Sequence, residues 1–227
     1  MKFRAPPSGS LVPNSEFDPL PYYYRPVVGH VYRHRLRMGL GLVPNAGRRV
    51  LEIGVGSGIL VPSLTAGFPE YLGTDLLLAP GLETLVSPGC HANFQVADLL
   101  DPNAVPAGTF DVVVCLSVLE HIADPEAAAH SLAHALAPGG TLVTGYPMVN
   151  RFMATCFRTL GFGRIEDHHI TTPAQITAAL GRRLQPLARV SLPIFAPQSL
   201  SLYECTSWTN TSGQRRRKST SNAPAPP

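Results

Sequence analysis

Cysteine is scarce in this chain. Cys90, Cys115, Cys156 and Cys205 stand too far apart for a C-x-x-C pair or a zinc-ligand spacing. A disulfide-stapled scaffold and a zinc module are therefore excluded. There is no run of about 18 apolar residues, and no charged segment leads into an apolar one at the start, so neither a membrane-spanning helix nor a signal peptide is expected. Charged residues make up only 15 % and hydrophobic ones 44 %, the balance of a globular chain. The H-E-x-x-H pattern is missing too. His130 and His134 enclose Ser131-Leu132-Ala133 and read as a solvent-facing helical pair, so no metal is expected. The net charge of +3 owes much to Arg215-Arg216-Arg217-Lys218, and without that run the body is near −1. A nucleic-acid partner is accordingly disfavoured. There are no repeats, and reduced thiols suit the cytoplasm.

What the chain does have is glycine at alternate positions. Val50-Leu51-Glu52-Ile53-Gly54-Val55-Gly56-Ser57-Gly58-Ile59-Leu60 reads as a strand, then a tight turn, then a helix. Glycine accepts positive φ and lets a ligand approach the backbone, and a helix N-terminus offers N–H groups to an anion. A nucleotide-like ligand is expected. The dinucleotide fingerprint G-x-G-x-x-G/A is not met: counted from Gly54 its third position is Ile59, and from Gly56 it is Val61. An NAD-dependent oxidoreductase is therefore the weaker alternative.

Strands and helices alternate from Arg49 onward. Strands are expected at 49–53, 71–74, 93–97, 111–116 and 141–145, with helices near 27–42, 58–66, 149–160 and 172–181. A further helix opens on Asp124-Pro125 and ends at Pro138-Gly139-Gly140. Two β-like runs, 187–195 and 199–206, close the fold as an antiparallel hairpin. The expected architecture is α/β: a Rossmann-like, seven-stranded, mostly parallel sheet with helices on both faces. Residues 1–26 read as an irregular segment, 27–208 as the domain, and 209–227 as a disordered basic and Pro-rich tail. Ligands of such sheets bind beyond the carboxyl ends of the strands. Asp75 ends the second strand and Asp98 the third. The fourth runs into Ser117-Val118-Leu119-Glu120-His121. Taken singly, Asp75 and Asp98 are as readily turn residues.

The order ExGxGxG, acid, acid, D-V-V-V-C-L-S-V-L-E-H-I and L-x-P-G-G-x-L over about 49–146 resembles class I S-adenosylmethionine (SAM)-dependent methyltransferases, in particular the ubiquinone/menaquinone-biosynthesis type that methylates small molecules. The resemblance implies SAM as cofactor. It assigns Glu52, Gly54, Gly56 and Gly58 to its methionine end, Asp75 to the ribose, Asp98 and Leu99 to the adenine, and Leu116 or Ser117 to the strand-4 flank. It also implies that the N-terminal segment, with Tyr22-Tyr23-Tyr24, covers the site. Methyl transfer from a sulfonium needs mainly alignment, and a base only for an acceptor that must lose a proton. His121 is the first candidate base, with His168 and His169 behind it; each also reads as a loop residue. Tyr146 and Asn150 are candidates for the acceptor wall. The basic stretch His30–Arg37 reads as a seat for an anionic acceptor, as a contact for nucleic acid or for a membrane surface, or, more commonly for such a run, as a solvated face. A SAM-binding protein without turnover is the second alternative. The acceptor and the oligomeric state are not legible.

Overall fold

The computed structural model describes residues 1–16, 18–148, 169–193 and 200–210. Seven strands form one sheet in the order β3-β2-β1-β4-β5-β7-β6. They are β1 (Arg49–Ile53), β2 (Glu70–Asp75), β3 (His91–Val96), β4 (Phe110–Leu116), β5 (Leu136–Pro147), β6 (Gln185–Leu192) and β7 (Tyr203–Thr209). β1 pairs in parallel with β2 and β4, β2 with β3, and β4 with β5. β7 runs antiparallel to both neighbours, so the last pair is the expected antiparallel hairpin, but its second strand enters between β5 and β6. The strand order reverses between β1 and β4, where such sheets open a ligand crevice.

Successive residues point to opposite faces, and both faces are covered, so β1 and β4 carry apolar side chains to both sides. Val50, Val112 and Val114 face one cluster, with Leu36 and Leu40 of α2 (Val28–Leu42) and Leu64 of α3 (Val61–Thr65). Leu51, Val113 and Cys115 face the other, with Leu132 of α4 (Pro125–Ala135) and Ile176 and Leu180 of α5 (Pro173–Gly181). Each fully buried aliphatic side chain contributes roughly 1.5–3 kcal/mol. Truncating Leu132, 1 % exposed, to Ala would cost about 2–5 kcal/mol.

Several boundaries move. Asp124 caps α4 by accepting from the backbone N–H groups of Glu126 and Ala127, as expected, and Thr172 and Gln175 form the expected capping box of α5. But α4 stops at Ala135, ahead of Pro138-Gly139-Gly140, because the N–H groups of Gly108 and Thr109 take the carbonyls of His134 and Ala135. The expected helix 58–66 shrinks to the five residues of α3, since tight turns from Gly58 to Val55 and from Val61 to Gly58 consume its start. The N-terminal segment holds a short helix, α1 (Leu20–Tyr23), and packs Met1 and Phe3 against the first cluster. The helix expected at 149–160, with Asn150, Cys156 and His168, lies outside the described residues, as does the tail from 211.

Candidate active site

The glycine turn is built by backbone conformation. Gly54, Gly56 and Gly58 have φ of +78°, +54° and +84°. A Cβ at Gly54 would stand 2.2 Å from Val118 Cγ2, and one at Gly58 would stand 2.6 Å from Leu82 and Leu85. Glycine is therefore required on both counts. The turn's N–H groups are largely spent on the fold: Gly54 and Val55 donate to the Thr74 carbonyl, Gly58 to Val55, and Gly56 to Asp75 Oδ2 at 2.7 Å. With α3 only five residues long, the turn offers less of the helix-end anion site expected from the sequence, and Val118, Leu82 and Leu85 pack closely on its glycines.

Asp75 sits at the end of β2, where that crevice opens. Besides Gly56 it accepts from Leu77 N–H through Oδ1 at 3.4 Å. A carboxylate has about four acceptor positions, so capacity for ribose hydroxyls is left. Asp98 holds an Asx turn through Leu100 N–H at 2.9 Å. With Leu99 it lines a small pocket that also touches Ile53 and Thr74, beside the glycine turn, and Leu132 of α4. Glu52 is placed differently from a ligand-facing residue. It is 2 % exposed and accepts from the Tyr71 hydroxyl at 2.6 Å. Burial, against that hydrogen bond and with Asp75 nearby, pushes its pKa up to about 8. Glu52 thus braces β1 against β2 from beneath the turn.

At the end of β4, Leu116 fills the space left by Gly39 of α2 and Gly145 of β5. Ser117 takes φ +59° and bonds Tyr203 Oη through its hydroxyl at 2.8 Å. Val118 then covers Gly54. The backbone N–H groups of Ile170 and Thr171 donate to the Glu120 carbonyl, tying the strand-4 loop to the segment before α5 and bringing His169 to His121, with ring centroids 5.2 Å apart. The donor atoms of Glu120, His121 and His169 lie within 4.8 Å of one another. Glu120 is 3 % exposed, its Oε2 has no partner among the described residues, and burial pushes its pKa up to about 7. The sequence places Glu120 beside His121 but assigns it no role, and it raises no expectation of a metal. Donor identity alone supplied the hint, because the approach of His169 depends on a loop far along the chain.

One further expectation is corrected, that for Tyr146. Tyr146 is 1 % exposed in the α4–α5 cluster and bonds Thr177 Oγ1 at 2.9 Å, so it belongs to the core and not to an acceptor wall. Cys115 is fully buried, and burial raises its thiol pKa. His130 and His134 stack on the open face of α4. The N-terminal segment does reach the turn: Ser57 Oγ donates to Asp18 Oδ1 at 3.4 Å, and Asp18 Oδ2 is 3.6 Å from the Cβ position at Gly56.

This geometry, a glycine turn under β1 and β4 with acids ending β2 and β3, is that of a SAM-dependent methyltransferase fold. A methyltransferase domain family model matches residues 28–183, and the chain belongs to that family. Ubiquinone biosynthesis O-methyltransferase of Aromatoleum aromaticum is 36 % identical over 120 residues, covering 51 % of this chain and 50 % of the relative. The same enzyme of Thiobacillus denitrificans is 34 % identical over 131 residues, 56 % and 53 %. The chain thus spans about half the length of the curated relatives it matches. Among solved structures, N-methyltransferase NodS from Bradyrhizobium japonicum WM9, in complex with S-adenosylhomocysteine (SAH), superposes with a TM-score of 0.59 at 22 % identity, covering 86 % of this chain and 93 % of that one. The cofactor of the class is SAM. No helix among the described residues is long and apolar enough to cross a membrane.

Proposed function

We propose that this chain transfers the SAM methyl group to a hydroxyl of a small-molecule acceptor and does so in the cytoplasm. The carrying observation is the Glu120–His121–His169 cluster, whose first two members follow two and three residues after Val118, which itself lies on the glycine turn. The curated relatives are O-methyltransferases by name, which supports oxygen as the reacting atom. Glycines 54, 56 and 58 would pass the methionine end of SAM close to the backbone, Asp75 would accept from the ribose, and Asp98 with Leu99 would border the adenine. Leu116 and Ser117 shape the neighbouring wall. Bound SAM supplies an activated methyl group on a sulfonium.

The protein's task is then to align the acceptor oxygen behind that methyl, exclude water and remove one proton. His121 takes the proton from the acceptor hydroxyl. Attack by the acceptor oxygen would form the O–CH3 bond as the S–CH3 bond of SAM breaks, its electron pair staying on sulfur. His169 and Glu120, whose donor atoms lie within 4.8 Å of it, would orient the imidazole and share the charge. Transfer of labelled methyl from SAM to a panel of phenols and catechols tests this; His121→Gln should lower turnover and leave SAH affinity unchanged.

The partnerless Glu120 Oε2 favours a second reading of the same cluster. Glu120, His121 and His169 supply one carboxylate and two imidazoles, a donor set that suits a divalent cation. Such an ion would lower the acceptor hydroxyl's pKa directly. Activity that survives thorough chelation supports the histidine base; activity lost to chelation and restored by Mg2+, Mn2+ or Zn2+ supports the cation.

A further inference from the structure

Asp18 lies on the N-terminal segment, just ahead of α1, and is only 9 % exposed. Three donors hold its carboxylate. Oδ1 accepts from the backbone N–H of Leu20 at 2.8 Å and from Ser57 Oγ at 3.4 Å, and Oδ2 accepts from the N–H of Asn14 at 3.2 Å. None of the ion pairs between described residues involves Asp18. A carboxylate withdrawn from water without a cation is costly. Turn chemistry within the segment accounts for the Asn14 and Leu20 bonds. It does not account for an acid brought against the glycine turn.

The approach is well defined. Asn14 Nδ2 donates to the Leu77 carbonyl at 2.9 Å, and the Leu77 N–H bonds Asp75. Residues 14–18 therefore run from the end of β2 to the glycine turn. Leu20 and Tyr23, both buried on α1, anchor the chain that follows. Two acids then meet at Gly56. Asp75 Oδ2 takes its N–H, while Asp18 Oδ2 lies 3.6 Å from the position its Cβ would occupy. A carboxylate oxygen accepts two hydrogen bonds, and Asp18 Oδ2 uses one, so one acceptor position is left over the turn. The chemistry that fits it is a compact cation with N–H donors, an ammonium, bound by a charge-assisted hydrogen bond.

Resting on the reading of this turn as the seat of the methionine end of SAM, we propose that Asp18 binds the α-ammonium of the cofactor. That group is the one ammonium the cofactor carries, and it belongs to the end that passes Gly56. The two acids at Gly56 divide the cofactor by charge: Asp75 takes neutral ribose hydroxyls, and Asp18 takes the cationic amino-acid end. The N-terminal segment thereby contributes a binding residue as well as a cover.

SAH and its desamino analogue, in which a hydrogen replaces the α-ammonium, are the probes, titrated against the full chain by calorimetry. The wild-type protein should bind SAH at least about 10-fold more tightly than the analogue. Asp18→Asn keeps the shape and removes the charge, so it should erase most of that preference. If Asp18 only ties the N-terminal segment down, Asp18→Asn would weaken both ligands alike and keep their ratio, and this would overturn the proposal. Equal affinity of the wild-type protein for the two ligands would overturn it whether or not the variant folds, and would leave the turn as a SAM seat intact. Binding of neither ligand would contradict the methyl-donor reading, and the proposal would fall with it.

Discussion

Glu52→Gln is expected to stabilise the protein at neutral pH and to change the pH dependence of its stability. Glu52 is 2 % exposed, and its pKa rises from 4.5 to about 8, chiefly because burial disfavours the charged form. At pH 7 the folded chain keeps a proton that the unfolded chain has released. A carboxyl with a raised folded pKa supports folding fully below about pH 4.5, and this support is lost as the pH climbs toward 8. At about 1.36 kcal/mol per pH unit, the native state is about 3 kcal/mol worse off at pH 7 than below pH 4.5. Gln has nearly the same shape, can accept from the Tyr71 hydroxyl and does not titrate. Urea unfolding of both proteins at about pH 5.5 and about pH 7 measures the difference. The advantage of the variant should grow by about 2 kcal/mol between the two. Glu120, also raised, titrates equally in both proteins and cancels. A stability difference that does not change with pH would refute the buried, protonated Glu52.

Asp75→Ala should weaken SAH binding by about 10- to 100-fold, the worth of hydrogen bonds to a charged acceptor; unchanged affinity would make Asp75 a brace for Gly56 only. His121→Gln should lower kcat at least about 100-fold with SAH affinity intact, and an unaltered rate removes it as the base. Gly54→Ala should lose SAH binding and several kcal/mol of stability, because the new Cβ meets Val118 at 2.2 Å in a backbone with positive φ. A well-folded, SAH-binding Gly54→Ala would contradict the close fit of β4 over the turn.

The sheet was legible because its signals are local. Val50, Leu51 and Ile53 of β1 and Val112–Cys115 of β4 put apolar side chains on both faces, and both glycine spacing and strand-end acids sit within a few residues of the strands that place them. Caps were legible for the same reason: Asp124-Pro125 and Thr172–Gln175 carry their geometry in four residues. What the sequence hid depends on distant partners. The end of α4 is set by the N–H groups of Gly108 and Thr109, and the insertion of β7 between β5 and β6 is set by pairing across the sheet. The reach of Asp18 to Ser57, the cage of Tyr23, Tyr32 and Tyr203 around Arg35, and the meeting of His121 with His169 join residues many positions apart. Tyr146 was misread because strand ends look alike in sequence whichever face they turn to; here the side chain turns to α5.

The most direct test of the central claim is a calorimetric titration of the chain with SAH, with NAD as control. A crevice made by Gly54–Gly58, Asp75 and Asp98 for SAM predicts one SAH per chain and no NAD binding. SAH at about 100 times its Kd should then add about 2.7 kcal/mol of stability. Binding of NAD in place of SAH, by an otherwise folded protein, would contradict the account.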